Sequence, residues 1–234
     1  MNSISQGFWD AWGLIFGLDA DLYEIVFLSL RVTVSAVIIA SCIGLPLGAW
    51  LAVKRFRYRR YVIALLNALM GLPPVVVGLM VYMLLSRAGP LGGFGLLFSP
   101  TAMIIAQVII ITPLIASISH QSQRELWAEY HDLLISLNAT RGQRMKALLW
   151  DGKRALITAM LAGFGRAIGE VGAIIIVGGN IEHATRVLTT AIALETGKGN
   201  FAFAMGLGMV LITLAIIVNL LIHALGKTER AATW

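Results

Sequence analysis

A single cysteine, Cys42, occurs in 234 residues. One thiol can form neither an intrachain disulfide nor a thiolate metal cluster, so both kinds of cross-linked scaffold are excluded. Charge is nearly as scarce: 13% of residues are charged against 58% hydrophobic, and the mean hydropathy is +0.83. Ordinary soluble domains carry about 25% charge, so the composition is that of an integral membrane protein. Catalytic motifs are missing too. There is no G-x-x-x-x-G-K-[ST]; the nearest fragment, Gly197-Lys198-Gly199, lacks the upstream glycine and the following hydroxyl. No H-E-x-x-H or nucleophile elbow occurs, and His120, His131, His183 and His223 are scattered. These absences point away from an enzyme and leave no residues to assign to a catalytic, cofactor or metal site. The first twenty residues contain no basic stretch, so no secretory signal is expected.

What is present is apolar length. Five runs are each long enough to cross a ~30 Å hydrocarbon core: Val32 to Val53, Tyr61 to Ser86, Pro100 to Ser119, Ala155 to Val177 and Asn200 to Leu225. Lipid offers the backbone no hydrogen-bond partner, so the runs must be helices. The expectation is an all-α membrane protein with five transmembrane helices. Its net charge of +6 is distributed by loop: thirteen basic residues follow the first, third and fifth runs, beginning with KRFRYRR at Lys54 to Arg60, and three lie on the other side. This is the positive-inside pattern. It places the basic loops and the C-terminus in the cytoplasm and the N-terminus outside, and leaves no charge that needs a nucleic acid. Phe8 to Phe16, FWDAWGLIF, reads as an interfacial helix on the outer leaflet, with a loose tail as the alternative.

The loop from His120 to Arg154 is patterned. Apolar residues at Leu126, Tyr130, Leu133, Leu134 and Leu137 have helical spacing. Asn138 can take the left-handed conformation that closes a helix. Thr140 and Gln143 then form the T-x-x-Q of a capping box, opening a second helix over Arg141 to Trp150. A capped cytoplasmic hairpin is either a docking element for a soluble partner or a solvated turn.

Two spans are interrupted. Pro73 and Pro74, in GLPPVVVG, remove two amide donors and predict a break about 18 Å from the cytoplasmic end. The fourth run carries Arg166 and Glu170, with Arg166 about 17 Å deep by the same rise. Read as one helix, the pair shares a face one turn apart. Charges at such depth pair with one another or face an aqueous path, and both readings stay open here. Gly165, Gly169 and Gly172 would form a stripe for close helix packing, within a subunit or between subunits.

The hairpin followed by AGFGRAIGEVGA resembles the membrane subunits of type I ABC importers. Asp132, Leu133 and Leu134 fall at the E-A-A positions of that family's coupling loop, Asn138 at its glycine, and Leu148 at the isoleucine ten residues on. Ala139, Thr140 and Gln143 complete the turn. LPPVVVGL, GRAIGEVGA and VGGNIEHATRVLTTAIALETGKGN, the last containing Asn180, are similar to the oxyanion branch, and most closely to bacterial tungstate permeases. The resemblance implies an N-terminal outer segment over 1–24, a type-1 transmembrane domain over 25–226 with its coupling loop at 120–154, and a cytoplasmic tail at 227–234. It further implies a homodimer in a bacterial inner membrane, a separate ATPase that holds ATP-Mg, and an external oxyanion-binding protein. Molybdate or sulfate is the alternative cargo. A stand-alone secondary transporter or channel is the competing class; the absence of an internal repeat and the presence of the hairpin count against it.

Overall fold

The computed structural model describes residues 12–13, 16–17, 19–54 and 56–230. Among the described residues there is no strand, and nine α-helices follow one another. They are α1 (Ala20–Val53), α2 (Arg59–Met70), α3 (Pro74–Leu85), α4 (Pro100–Ser136), α5 (Arg141–Asp151), α6 (Lys153–Ile168), α7 (Gly172–Gly178), α8 (Leu188–Lys198) and α9 (Phe201–Arg230), with a 3-10 turn at Gly92–Phe94. Helices α1, α4 and α9 are each long and apolar enough to span a membrane, and the bent pairs α2/α3 and α6/α7 raise the number of spans to five. Most of the proposed interfacial segment Phe8 to Phe16 lies outside the described residues; within it, Trp12 stacks on Phe16 with ring centroids 5.3 Å apart.

The helices form two compact units. The first comprises the described residues of Met1–Ala36, Pro73–Gln107 and Arg166–Ile217. Asp19 Oδ1 accepts from Leu22 N–H and so opens α1 at Ala20, twelve residues before the apolar run at Val32. Leu22 and Ile25 then pack on Leu188, Ala191 and Leu207. Ser29 Oγ accepts from Leu188 N–H at 2.7 Å, which ties the start of α8 to α1. In the same unit α3 crosses α7 at Gly78, where an added Cβ would lie 2.7 Å from Ala173 Cα.

The second unit comprises Val37–Leu72, Val108–Gly165 and the described residues of Val218–Trp234. Here the lower part of α1 crosses α4 through glycines: a Cβ at Gly48 would stand 2.6 Å from Ser119 Cβ. Ser119 Oγ donates to the Leu45 carbonyl at 3.0 Å across that crossing. Arg59 Nε reaches the Leu51 carbonyl at 2.7 Å and holds the start of α2 to the end of α1.

Two expectations need correction. The third span does not stop at Ser119: α4 runs unbroken for 37 residues to Ser136, about 55 Å at the standard rise. The first arm of the hairpin is therefore the continuation of a membrane helix. The fourth span is not one helix. It stops at Ile168 and resumes at Gly172, because two poor helix formers, Gly169 and Gly172, flank a glutamate whose Oε1 accepts from Ala173 N–H at 3.4 Å and so competes with helix continuation.

Candidate functional site

The hairpin turn is built as its residues suggest. Asn138 has φ of 49°, in the left-handed region. Its N–H donates to the Ile135 carbonyl and that of Ala139 to the Leu134 carbonyl, the two bonds of a Schellman ending for α4. Both halves of the capping box are formed: Thr140 N–H to Gln143 Oε1 at 2.7 Å, and Gln143 N–H to Thr140 Oγ1 at 3.4 Å. Arg144 Nε adds a bond to the Ala139 carbonyl. The turn is thus rigid at the backbone, since its orphan amides and carbonyls are used internally. Leu148 is fully buried and anchors α5, whereas Leu133 and Leu137 remain 58% and 67% exposed. Asp132 is exposed and bonded to its neighbour His131. Removing the cap with Thr140→Ala is expected to cost about 1 kcal/mol, read as a lower melting temperature and faster amide exchange across α5.

The mid-span residues are not brought together in the expected way. Arg166 and Glu170 do not share a helix face, because the α6/α7 break begins between them. The ion pairs found among the described residues involve His131, His183, Arg186 and Lys198, and not Arg166. Arg166 is exposed at the end of α6, whereas Glu170 is buried. The break also dissolves the glycine stripe. Gly165 and Gly169 are exposed, and a Cβ at Gly165 would meet Val218 only at 3.9 Å, an ordinary contact. Gly172 is close-packed, with a Cβ there 2.6 Å from Val75 Cγ2. Pro73 precedes α3 and Pro74 is its first residue, the position where proline's missing amide costs nothing. Asn180 has φ of 51° and donates to the Thr190 carbonyl at 3.4 Å.

Glu170 instead joins a polar cluster inside the first unit. Ser29, Thr33, Gln107, Glu170 and Thr189 are all buried and line one small cavity. Gln107 Nε2 donates to the Ala167 carbonyl at 3.0 Å, in the last turn of α6. Thr189 Oγ1 donates to the Glu170 carbonyl at 2.9 Å, so α8 holds the break in place. Sequence reasoning missed Gln107 and Thr189. The signal for Gln107 was available, as a lone amide in an apolar span needs an internal partner. The cluster's hydroxyls, amide and carboxyl group are hydrogen-bonding groups that tie α4 and α8 to the break.

A third feature lies at the start of α1. His183, with φ of 55°, is 2.9 Å from Glu24 Oε2 through Nδ1. The hydrogen bond and negative charge of Glu24 raise the histidine's pKa above its usual 6.5, with Glu182 and Asp21 adding to the rise. A raised folded-state value means that this contact stabilises fully below 6.5 and is lost as pH climbs through the higher value. Melting temperatures at about pH 6 and about pH 9 should therefore differ more in the wild type than in His183→Gln.

The sequence from residue 44 to residue 230 matches the family described as binding-protein-dependent transport system inner membrane component. The chain belongs to that family. It is 38% identical over 225 residues to the tungstate uptake system permease protein TupB of Peptoclostridium acidaminophilum, covering 96% of this chain and 99% of the relative. It is also 38% identical over 217 residues to a probable anion ABC transporter permease of Haloferax volcanii, covering 91% and 92%. A solved chain of the MetNI methionine ABC transporter, in an inward facing conformation, superposes with a TM-score of 0.68 at 21% identity, covering 94% of this chain and 98% of that one. That superposition establishes the ABC importer membrane-subunit fold. As a member of the family the chain is an ABC transporter permease, an integral membrane protein.

Proposed function

We propose that this permease carries tungstate into a bacterial cell as the membrane half of an ATP-driven importer. It works as a homodimer, with a separate ATPase that holds ATP-Mg and an external oxyanion-binding protein. The observation that carries the coupled reading is the hairpin: a doubly capped turn that presents Leu133 and Leu137 to solvent. Exposed leucines on a rigid turn favour a protein partner, and the excess of basic residues in the same loops favours the cytoplasmic side for it. The TupB relative favours tungstate as the cargo. Arg166, exposed at the end of α6, is the residue suited to meet a dianion along the path; Pro73 and Pro74, which open α3, and Asn180, in the left-handed turn after α7, are the further pathway candidates.

The test is reconstitution in liposomes with and without a co-expressed ATPase and binding protein. Tungstate should accumulate against its gradient only when all three components and ATP are present. Comparable uptake by this chain alone would make it a channel or secondary carrier and overturn the proposal. Uptake of molybdate in preference to tungstate would retain the importer and change its cargo.

A further inference from the structure

The cavity at the α6/α7 break sets a few polar groups among apolar side chains, and two of its acceptors lack donors. Gln107 is 4% exposed and its amide orientation is fixed, because the Ala167 carbonyl can only accept and therefore takes the Nε2 proton. Its Oε1 is left buried with no protein partner. Glu170 is 8% exposed, and the only donor bonded to its carboxylate among the described residues is the Ala173 N–H, at a long 3.4 Å. Thr33 lines the same space, and among the described residues no Lys, Arg or His does. The cavity also abuts the last turn of α6, the end of a helix that carries partial negative charge. Its free volume is about that of one water molecule.

We propose that this cavity binds one dehydrated alkali-metal cation, held by Gln107 Oε1, the Glu170 carboxylate and the Thr33 hydroxyl. Three physical points select that ligand. A buried carboxyl group whose single bonded donor is at 3.4 Å is short of partners inside a membrane protein, and a cation supplies one. The three ligand atoms are all oxygens, which suit hard cations, and the carboxylate among them disfavours the dianionic cargo. Broken membrane helices offer cations the C-terminal end of one half-helix, and α6 supplies that end here. The cation would lock the break by joining α4, α1 and the segment between α6 and α7. This inference concerns the first unit alone and holds whatever the cargo is.

The experiment is thermal melting of the purified full-length protein in detergent, at constant ionic strength, in sodium, potassium or choline chloride. One alkali chloride is expected to raise the melting temperature saturably by about 4 °C over choline. Thr33→Val, which keeps shape and loses one ligand oxygen, should shift the half-saturating concentration at least about tenfold. Glu170→Gln should abolish the response, and where that variant does not fold the Thr33→Val titration decides. Crystals soaked in thallium(I) should show an anomalous peak between Gln107 and Glu170. Equal melting in all three salts, or a density peak there that is water alone, overturns the proposal.

Discussion

Gly78→Val is expected to leave little folded permease in the membrane. Gly78 is buried where α3 crosses α7, and a Cβ there would lie 2.7 Å from Ala173 Cα and 3.1 Å from its carbonyl oxygen. Both are backbone atoms, so no side chain can swing away to make room. Overpacking of a close-packed interior costs roughly 1–3 kcal/mol even when side chains can adjust. A branched side chain against backbone must part the two helices, and the total stability available is only about 5–15 kcal/mol. Gly78→Ala should therefore lower the melting temperature measurably, and Gly78→Val should abolish the monodisperse peak in fluorescence-detected gel filtration. Gly93→Ala, with nothing within 4 Å of the added carbon, is the matched control. A normal yield and melting temperature for Gly78→Val would mean that α3 and α7 do not cross there.

Gly165 makes the contrast. Glycine spacing marks Gly165 as a candidate for close packing, yet a Cβ there finds only Val218 Cγ1 at 3.9 Å, whereas Gly78, which spacing does not mark, is the tight crossing. Spacing reports which residues could face together on an ideal helix. It does not report whether the helix continues, and here it ends at Ile168. The stripe and the Arg166/Glu170 pair fail for the same reason. A proline break is legible because the missing amide and the ring clash act within a few residues, as at Pro73 and Pro74. The second break contains no proline. It depends on Glu170 accepting from Ala173 and on Thr189, nineteen residues on, bonding the Glu170 carbonyl, and the second of these partners is set by tertiary structure.

Helix α4 errs in the opposite direction. Composition changes from apolar to charged near His120, and the change reads as the end of a span. Backbone hydrogen bonding ignores that change: the segment from Ser119 to Ser136 contains no glycine or proline, so the helix has no reason to stop. Helix α8 was hidden for another reason. Its eleven residues are too few to register as a span, and its burial relies on Leu22, Ile25 and Ser29 of α1. The hairpin turn, by contrast, was legible in full, because Asn138, Thr140 and Gln143 act on backbone groups within five residues of themselves.

That local character makes Asn138 the position for testing coupling. Asn138→Val is expected to uncouple ATP hydrolysis from transport, while Asn138→Gly keeps both. Valine at φ of 49° places a branched Cβ against the carbonyl that follows, a strain of roughly 1–2 kcal/mol. Relief of that strain breaks the two bonds that end α4, to Ile135 and Leu134. A strain of that size lowers the ratio of formed to unformed hairpin by about 5–30-fold. If the hairpin transmits closure of the ATPase, tungstate uptake should fall by about tenfold or more while hydrolysis continues. The membrane fold should persist, because the cost falls on a turn outside the packed spans. Glycine adopts the same φ without a Cβ, so equal uptake by the valine and glycine variants, in protein of equal yield, would remove the hairpin from the coupling path.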